Sequence, residues 1–277
     1  NGDWLVAFNM ATPREVGRYS PKPWLHPPSD PEYRNYLARS TDGGDSWDYP
    51  RVFPDYDWHG LEHAGLCRLA NGDLLATMYG DLQGDVQYRT MLMHSTDQGQ
   101  NWQYRSTVAY NATDPNPELD GDYAGFCEPS VTLLANGQLL AIMRTAGSHL
   151  PPYRPMYVAW SDDLGLTWTG PEPTDPYLLN ASPTMLTLDN GVVAVAYGRP
   201  GVHVAFSTNY GHCWFEIETF DTAGEPRLTG YTDMIKSGPN EILLISGITG
   251  SAGANGGTYV YPIRVEVPSN TIVPNSY

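Results

Sequence analysis

The chain has 277 residues, with 28 glycines, 24 prolines, 12% aromatic side chains and 17% charged ones. This is the composition of many short strands joined by tight turns in a single all-β domain spanning 1–277. Acidic residues outnumber basic ones by 31 to 15, giving a formal net charge of −16; such a surface repels phosphate backbones and anionic membranes and excludes nucleic acid as the expected partner.

In chain order, Asn1-Gly2 reads as a hairpin turn whose first strand lies upstream, so the protein is expected to begin before Asn1. The compartment is not legible from these residues; a secreted or periplasmic location is the expectation. The strand ending at Phe8 leads into a long loop from about Asn9 to Tyr33, and the next strand runs into Ser40-Thr-Asp-Gly-Gly-Asp-Ser-Trp47. That octet recurs as Ser95-Thr-Asp-Gln-Gly-Gln-Asn-Trp102, as Ser161-Asp-Asp-Leu-Gly-Leu-Thr-Trp168, and as Ser207-Thr-Asn-Tyr-Gly-His-Cys-Trp214, where Asn209 replaces the aspartate. The first serines are separated by 55, 66 and 46 residues, the size of a four-stranded sheet with its loops. In such a turn the Asp is expected to bond backbone amides, the Gly to take a positive φ, and the Trp to pack between neighbouring sheets.

A second repeat precedes each later octet. Leu69-Ala-Asn-Gly-Asp-Leu-Leu-Ala76, Leu134-Ala-Asn-Gly-Gln-Leu-Leu-Ala141 and Leu188-Asp-Asn-Gly-Val-Val-Ala194 place Asn-Gly between apolar runs, a strong hairpin signal. A fifth unit, Tyr231 to Ser246, turns at Gly238-Pro-Asn240. Each unit thus reads as strand A, Asn-Gly turn, strand B, a variable loop, strand C, the octet and strand D. The expected fold is a β-propeller of four-stranded antiparallel blades. Five blade starts are visible, the first lacking strand A; closure at six blades is preferred, with a five-bladed ring as the alternative.

Strand direction assigns the Asn-Gly turns and the octets to one face of the disc, and the start of strand A, the end of strand B and the B–C loop to the other. Counting eight residues back from each Asn gives His63, Glu128 and Ser182, with Tyr231 at similar depth in the fifth unit; counting eight forward gives Asn9, Tyr79, Arg144 and Gly198, with Arg199 next. If strand A is innermost, the first set rings the axial mouth and the second stands beside it. Glu128 and Arg144 interrupt apolar runs, and a two-residue turn at Asn136-Gly137 makes them close cross-strand neighbours.

At these residues the chain resembles the sialidase superfamily, with its Asp-box (BNR) repeats, over nearly its whole length. Glu128-Pro-Ser-Val together with Arg144 resembles the segment where a family Glu precedes an arginine of the carboxylate-binding triad, and Gly230-Tyr-Thr-Asp-Met-Ile235 resembles the segment carrying the nucleophilic tyrosine. The resemblance implies an exo-acting, retaining glycosidase. Tyr231 would be the nucleophile, Glu128 its activating base and Asp30, in the long first loop, the acid/base. Arg144 and Arg199 would bind a substrate carboxylate, with His63 and Tyr79 as further substrate contacts.

Two other readings stay open: another carbohydrate-active propeller, either an arabinanase-like hydrolase or a uronate lyase using His59, His63, Tyr79 and Arg144, and a non-catalytic sugar-binding propeller. In every case the expected partner is a carbohydrate. No membrane-spanning run, metal-ligand spacing or cofactor motif is present, and no cofactor is expected. Three cysteines, Cys67, Cys127 and Cys213, do not make a disulfide framework, and His203 and His212 read as structural.

Overall fold

The computed structural model describes residues 2–12, 32–49, 51–52, 59–82, 84–146, 152–179, 181–198, 201–219, 229–249 and 258–266. They form five antiparallel sheets, each a simple meander in chain order. The first holds β1 (Trp4–Thr12), β2 (Glu32–Ser40) and β3 (Arg51–Val52), and the second β4 (His59–Arg68), β5 (Leu74–Asp81), β6 (Arg89–Ser95) and β7 (Gln103–Ala109). The third holds β8 (Tyr123–Leu133), β9 (Leu139–Ala146), β10 (Tyr157–Ser161) and β11 (Glu172–Pro173), and the fourth β12 (Ala181–Thr187), β13 (Val193–Gly198), β14 (Val202–Ser207) and β15 (Phe215–Thr219). The fifth holds β16 (Thr229–Gly238), β17 (Glu241–Thr249) and β18 (Thr258–Glu266).

Successive sheets pack face to face, which explains why their middle strands are apolar without alternation. In β9, Leu140 and Ile142 pack toward Met185, Val193 and Val195 of the fourth sheet, while Leu139, Ala141 and Met143 pack toward Leu75 and Leu92 of the second. Leu188, Ala194 and Val204 likewise meet Met234 and Leu244 of the fifth sheet. The first strands β4, β8, β12 and β16, together with β1, line one central cavity of about 710 Å³. Sheets packed in sequence around a shared axis are the blades of a β-propeller; five are present among the described residues.

The Asn-Gly turns differ in one detail from the two-residue hairpin expected. Leu134 N–H donates to Gln138 O at 2.8 Å and Gly137 N–H to Leu134 O at 3.0 Å, so the loop has three residues and ends on a glycine with φ of 90°. The same bonds recur at Leu69–Asp73 and Leu188–Val192. This shifts the ladder by one residue, and a bulge before it then sets Cys127, not Glu128, opposite Arg144.

The four octets close the turns between the last two strands of the first four sheets. In each, the Ser hydroxyl donates to the Asp or Asn oxygen, at 2.7 to 2.9 Å, and accepts the Gly N–H at 2.7 to 2.9 Å. The second carboxylate oxygen takes a side-chain donor two residues past the glycine: Ser46 at 2.5 Å, Asn101 at 2.6 Å and Thr167 at 2.6 Å. In the fourth octet that position is Cys213, a weak donor, and Asn209 Oδ1 takes the Cys213 N–H at 2.9 Å beside the Ser207 hydroxyl. The aspartate has thus become asparagine where its second oxygen has no strong donor to meet.

The second, third and fourth octets also dock on the preceding blade. The residue before the glycine is left-handed, with φ of 63° at Gln98, 56° at Leu164 and 62° at Tyr210. Its carbonyl accepts from Arg39 at the second octet, from Arg105 Nε at 2.7 Å at the third, and from Trp160 Nε1 at 2.8 Å at the fourth. The glycine that follows is required by space: a Cβ on Gly165 or Gly211 would overlap Leu92 or Leu140 of the blade before it. Trp168 completes the contact by donating to Ser106 Oγ at 3.1 Å.

These bonds set an acid limit. Backbone and side-chain donors of Asn101 hold the Asp97 carboxyl down at about 2, and Thr167 does the same for Asp163. A depressed native value means stability that is complete above the unfolded value near about 4 and is lost as pH falls toward about 2. Asp97→Asn with Asp163→Asn, which copies the bonding of Asn209, is expected to flatten the dependence of the urea midpoint on pH across that window. An unchanged slope would show that the acid transition arises elsewhere.

Candidate active site

The polar end of the cavity is built on irregularities in the innermost strands. Bulges fall between His63 and Gly65 in β4, Cys127 and Ser130 in β8, Ala181 and Thr184 in β12, and Thr229 and Thr232 in β16. The positions found by counting back from each turn therefore lie in or beside bulges, which re-aim side chains at the rim of a sheet. Two of these positions are strained: Glu128 has φ of 44° and Ser182 φ of 54°, although each precedes a proline, which disfavours helical backbone in the residue before it. Such conformations cost on the order of 1–3 kcal/mol each and persist only where the surroundings impose them.

The surroundings here are visible. Glu128 Oε1 accepts from Arg144 Nη1 at 2.8 Å and Oε2 from the Ser182 N–H at 2.9 Å, so the two strained residues are joined across neighbouring blades. Both partners of the ion pair are buried, Glu128 at 6% exposure and Arg144 at 4%. Burial works against the Arg144 charge, but Glu128, with Cys127 and Tyr79 close by, outweighs it and holds the guanidinium above its ordinary value. Glu128 lines the cavity; Arg144 stands behind it.

The stitching continues around the axis. Thr232 Oγ1 donates to Ser182 O at 3.2 Å, Thr184 Oγ1 to Thr232 O at 2.7 Å, and Met185 N–H to Ser130 Oγ at 3.0 Å. On the other side Thr77 Oγ1 donates to Pro129 O at 3.2 Å. Tyr79 lines the cavity and meets Tyr88 edge to face at 5.3 Å. Tyr88 is fixed by exchanging backbone bonds with Ala124 and Phe126, at 2.9 and 3.0 Å. Between them Gly125, at φ of 94°, leaves no room for a Cβ against the Tyr88 backbone. Asp233 also lines the cavity, and desolvation, opposed by the Met234 N–H, pushes its carboxyl above the usual carboxylate range.

The structure thus brings together Glu128, Arg144 and Tyr79 of the residues expected from sequence. Tyr231 sits on the β16 bulge and His63 beside the β4 bulge, with their side chains outside the described residues; Asp30 and Arg199 lie wholly outside them. Sequence reasoning missed Ser130, Thr184 and Thr232. The signal was present: Glu128-Pro-Ser130 and Ser182-Pro-Thr184 are the same tripeptide pattern in successive blades. His203 stacks on Tyr197 at 5.1 Å and His212 on Trp160 at 4.4 Å, both in packing positions. Arg154, a fully buried cation, braces the connection before β8 by donating to Asp114 at 2.7 Å and to the carbonyls of Asn116, Leu119 and Gly121.

Among the described residues no group of three or more His, Cys, Asp or Glu side chains is arranged for a metal ion, and no helix is long and apolar enough to cross a membrane. The family described as BNR repeat-like domain matches residues 19–268. No curated protein matches the chain. Among solved structures the chain is similar to a protein of unknown function from Dyadobacter fermentans, at 21% identity and a TM-score of 0.72, over 96% of this chain and 74% of that one. It is similar to the NanB sialidase of Streptococcus pneumoniae at 15% identity and a TM-score of 0.64, over 87% of this chain but only 37% of that one. The intramolecular trans-sialidase of Ruminococcus gnavus gives 15% identity and a TM-score of 0.59, over 88% of this chain and 53% of that one. At these identities the likeness is one of fold, and the chain spans about a third to a half of the length of the two sialidases.

The ion pair makes a measurable claim. Arg144→Met leaves a carboxylate buried without its counter-charge and is expected to cost about 3–5 kcal/mol in urea unfolding. Adding Glu128→Gln to it should recover part of that loss. A single-variant loss below about 1 kcal/mol would mark the pair as solvent-screened.

Proposed function

This chain belongs to the BNR repeat-like domain family and has the fold of the sialidases, and we propose that it is a glycoside hydrolase whose active site is the polar end of the axial cavity. The observation that supports this most is Glu128: a cavity-lining carboxylate on a strained bulge, oriented by Arg144 from behind and by the Ser182 N–H from the side. Backbone strain over-determined by the fold clusters at catalytic positions.

In this reading Tyr231, on the bulge of the strand that Thr232 ties to Ser182, attacks the anomeric carbon while Glu128 takes the phenolic proton. Asp30 gives a proton to the departing glycosidic oxygen, then removes one from the water that opens the tyrosyl–glycosyl intermediate, and Tyr231 leaves with the proton held by Glu128. Two displacements at one carbon retain its configuration. Arg144 serves here by fixing the base; Arg199 would reach the substrate, with His63 and Tyr79 as further contacts, Tyr79 offering a ring face to a sugar. The ring proposed has six blades, the five described sheets and one more.

The test is hydrolysis of a panel of fluorogenic aryl glycosides, N-acetylneuraminide included, by the wild type and by Tyr231→Phe and Glu128→Gln. At least one substrate is expected to be cleaved with retention, read by NMR of the first-formed anomer. Tyr231→Phe should then lose at least about 10³-fold in kcat with an unchanged circular-dichroism melting curve. Full activity in Tyr231→Phe would remove tyrosine nucleophilic catalysis, and an inactive wild type across the panel would remove the hydrolase reading.

A further inference from the structure

The cavity wall between the third and fifth blades can be sorted by what each polar group still has to give. A hydroxyl has one proton. Thr232 gives its proton to Ser182 O and Thr184 gives its proton to Thr232 O, so toward a ligand both threonines offer lone pairs. Glu128 takes bonds from Arg144 and Ser182, and a carboxylate has only acceptors. Asp233 adds a second carboxyl to the same lining. Ser130 accepts from Met185 N–H and keeps its own proton, and Ser182 adds one more hydroxyl. The nearby cations are engaged with carboxylates: Arg144 lies behind Glu128, and Lys236, at the far end of the lining, is bonded to Asp189 at 2.5 Å.

We propose that this wall is the subsite for a neutral, hydroxyl-rich sugar ring and selects against sugar acids. A wall of acceptors in which the donors are two serine hydroxyls is complementary to a ligand rich in O–H donors. A uronate or sialate would instead set its carboxylate against two carboxyls and threonine lone pairs, and among the described residues the cations beside this wall, Arg144 and Lys236, are already bonded to carboxylates. The overall charge of −16 acts in the same direction. The inference rests on the reading of this cavity as the substrate site, and it departs from the carboxylate-bearing substrate that the sequence resemblance implies.

The experiment compares the wild type on methylumbelliferyl glycosides of neutral hexoses, pentoses and deoxyhexoses with the glucuronide and the N-acetylneuraminide. A neutral substrate is expected to exceed either acid in kcat/KM by at least about 100-fold; equal or better turnover of an acid overturns the proposal while leaving the hydrolase reading intact. If nothing is cleaved, the hydrolase reading falls and calorimetric binding of methyl glycosides decides the subsite. Saturable binding of a neutral ring in preference to the acids supports it, and preference for an acid, or no binding of either, overturns it. Asp233→Asn supplies the control that a merely structural role would not move. Loss of one wall charge should tighten acid binding about fivefold and leave neutral-sugar affinity within about twofold, and a failure to shift this ratio counts against the proposal.

Discussion

A buried carboxylate must be held by donors, and the face around Glu128 draws them from two neighbouring blades. Arg144 reaches it from the second strand of the same blade and the Ser182 N–H from the first strand of the next. For that N–H to point at Oε2, β12 has to leave regular pleating, and it does so at a bulge with a left-handed serine. The Ser182 carbonyl, turned by the same distortion, takes the Thr232 hydroxyl and so engages the fifth blade. The strain at Glu128 and Ser182 is therefore the geometric condition for joining three blades at the mouth of the cavity, and the polar lining follows from it.

The opposite face solves the same problem of joining blades by repetition. The second, third and fourth octets each offer the carbonyl of one left-handed residue to the blade before it, and that blade answers with whatever donor its sequence supplies: Arg39, Arg105 or the Trp160 indole. The donor varies because only the carbonyl position is fixed by the turn. The glycine does not vary: its φ is positive in every octet, and at Gly165 and Gly211 the leucine packed beneath it leaves no volume for a Cβ. One face is thus modular and repeated, while the other carries residues that differ from blade to blade, the usual division between scaffold and site.

The apolar interior connects the two faces. Strands such as β9 and β13 are buried on both sides because the third and fourth blades are each covered by a neighbour on either face, so a polar residue in such a strand stands out from its surroundings. Arg144, at the end of an apolar run, is tolerated there because Glu128 neutralises it at 2.8 Å, and each buried charge is the condition for the other.

Much of the architecture was legible in the residues themselves. Four octets and three Asn-Gly turns define the blades, because turn chemistry is local and repeats in register, and the count of eight back from each turn led to the bulged ring. The substitution of Asn209 is also explicable locally, through Cys213. What the sequence could not specify was the ladder offset: a three-residue loop and a bulge moved Cys127 opposite Arg144, a choice made by packing against the neighbouring blades. The left-handed backbone at Glu128 and Ser182, against the preference of a residue before proline, was equally invisible, since only bonds from another blade impose it. The placement of Arg144 was decided in the same way. Its identity marked a buried charge, but whether the guanidinium faced the cavity or stood behind Glu128 depended on which strand the bulge turned, and that is a property of the assembled tertiary structure.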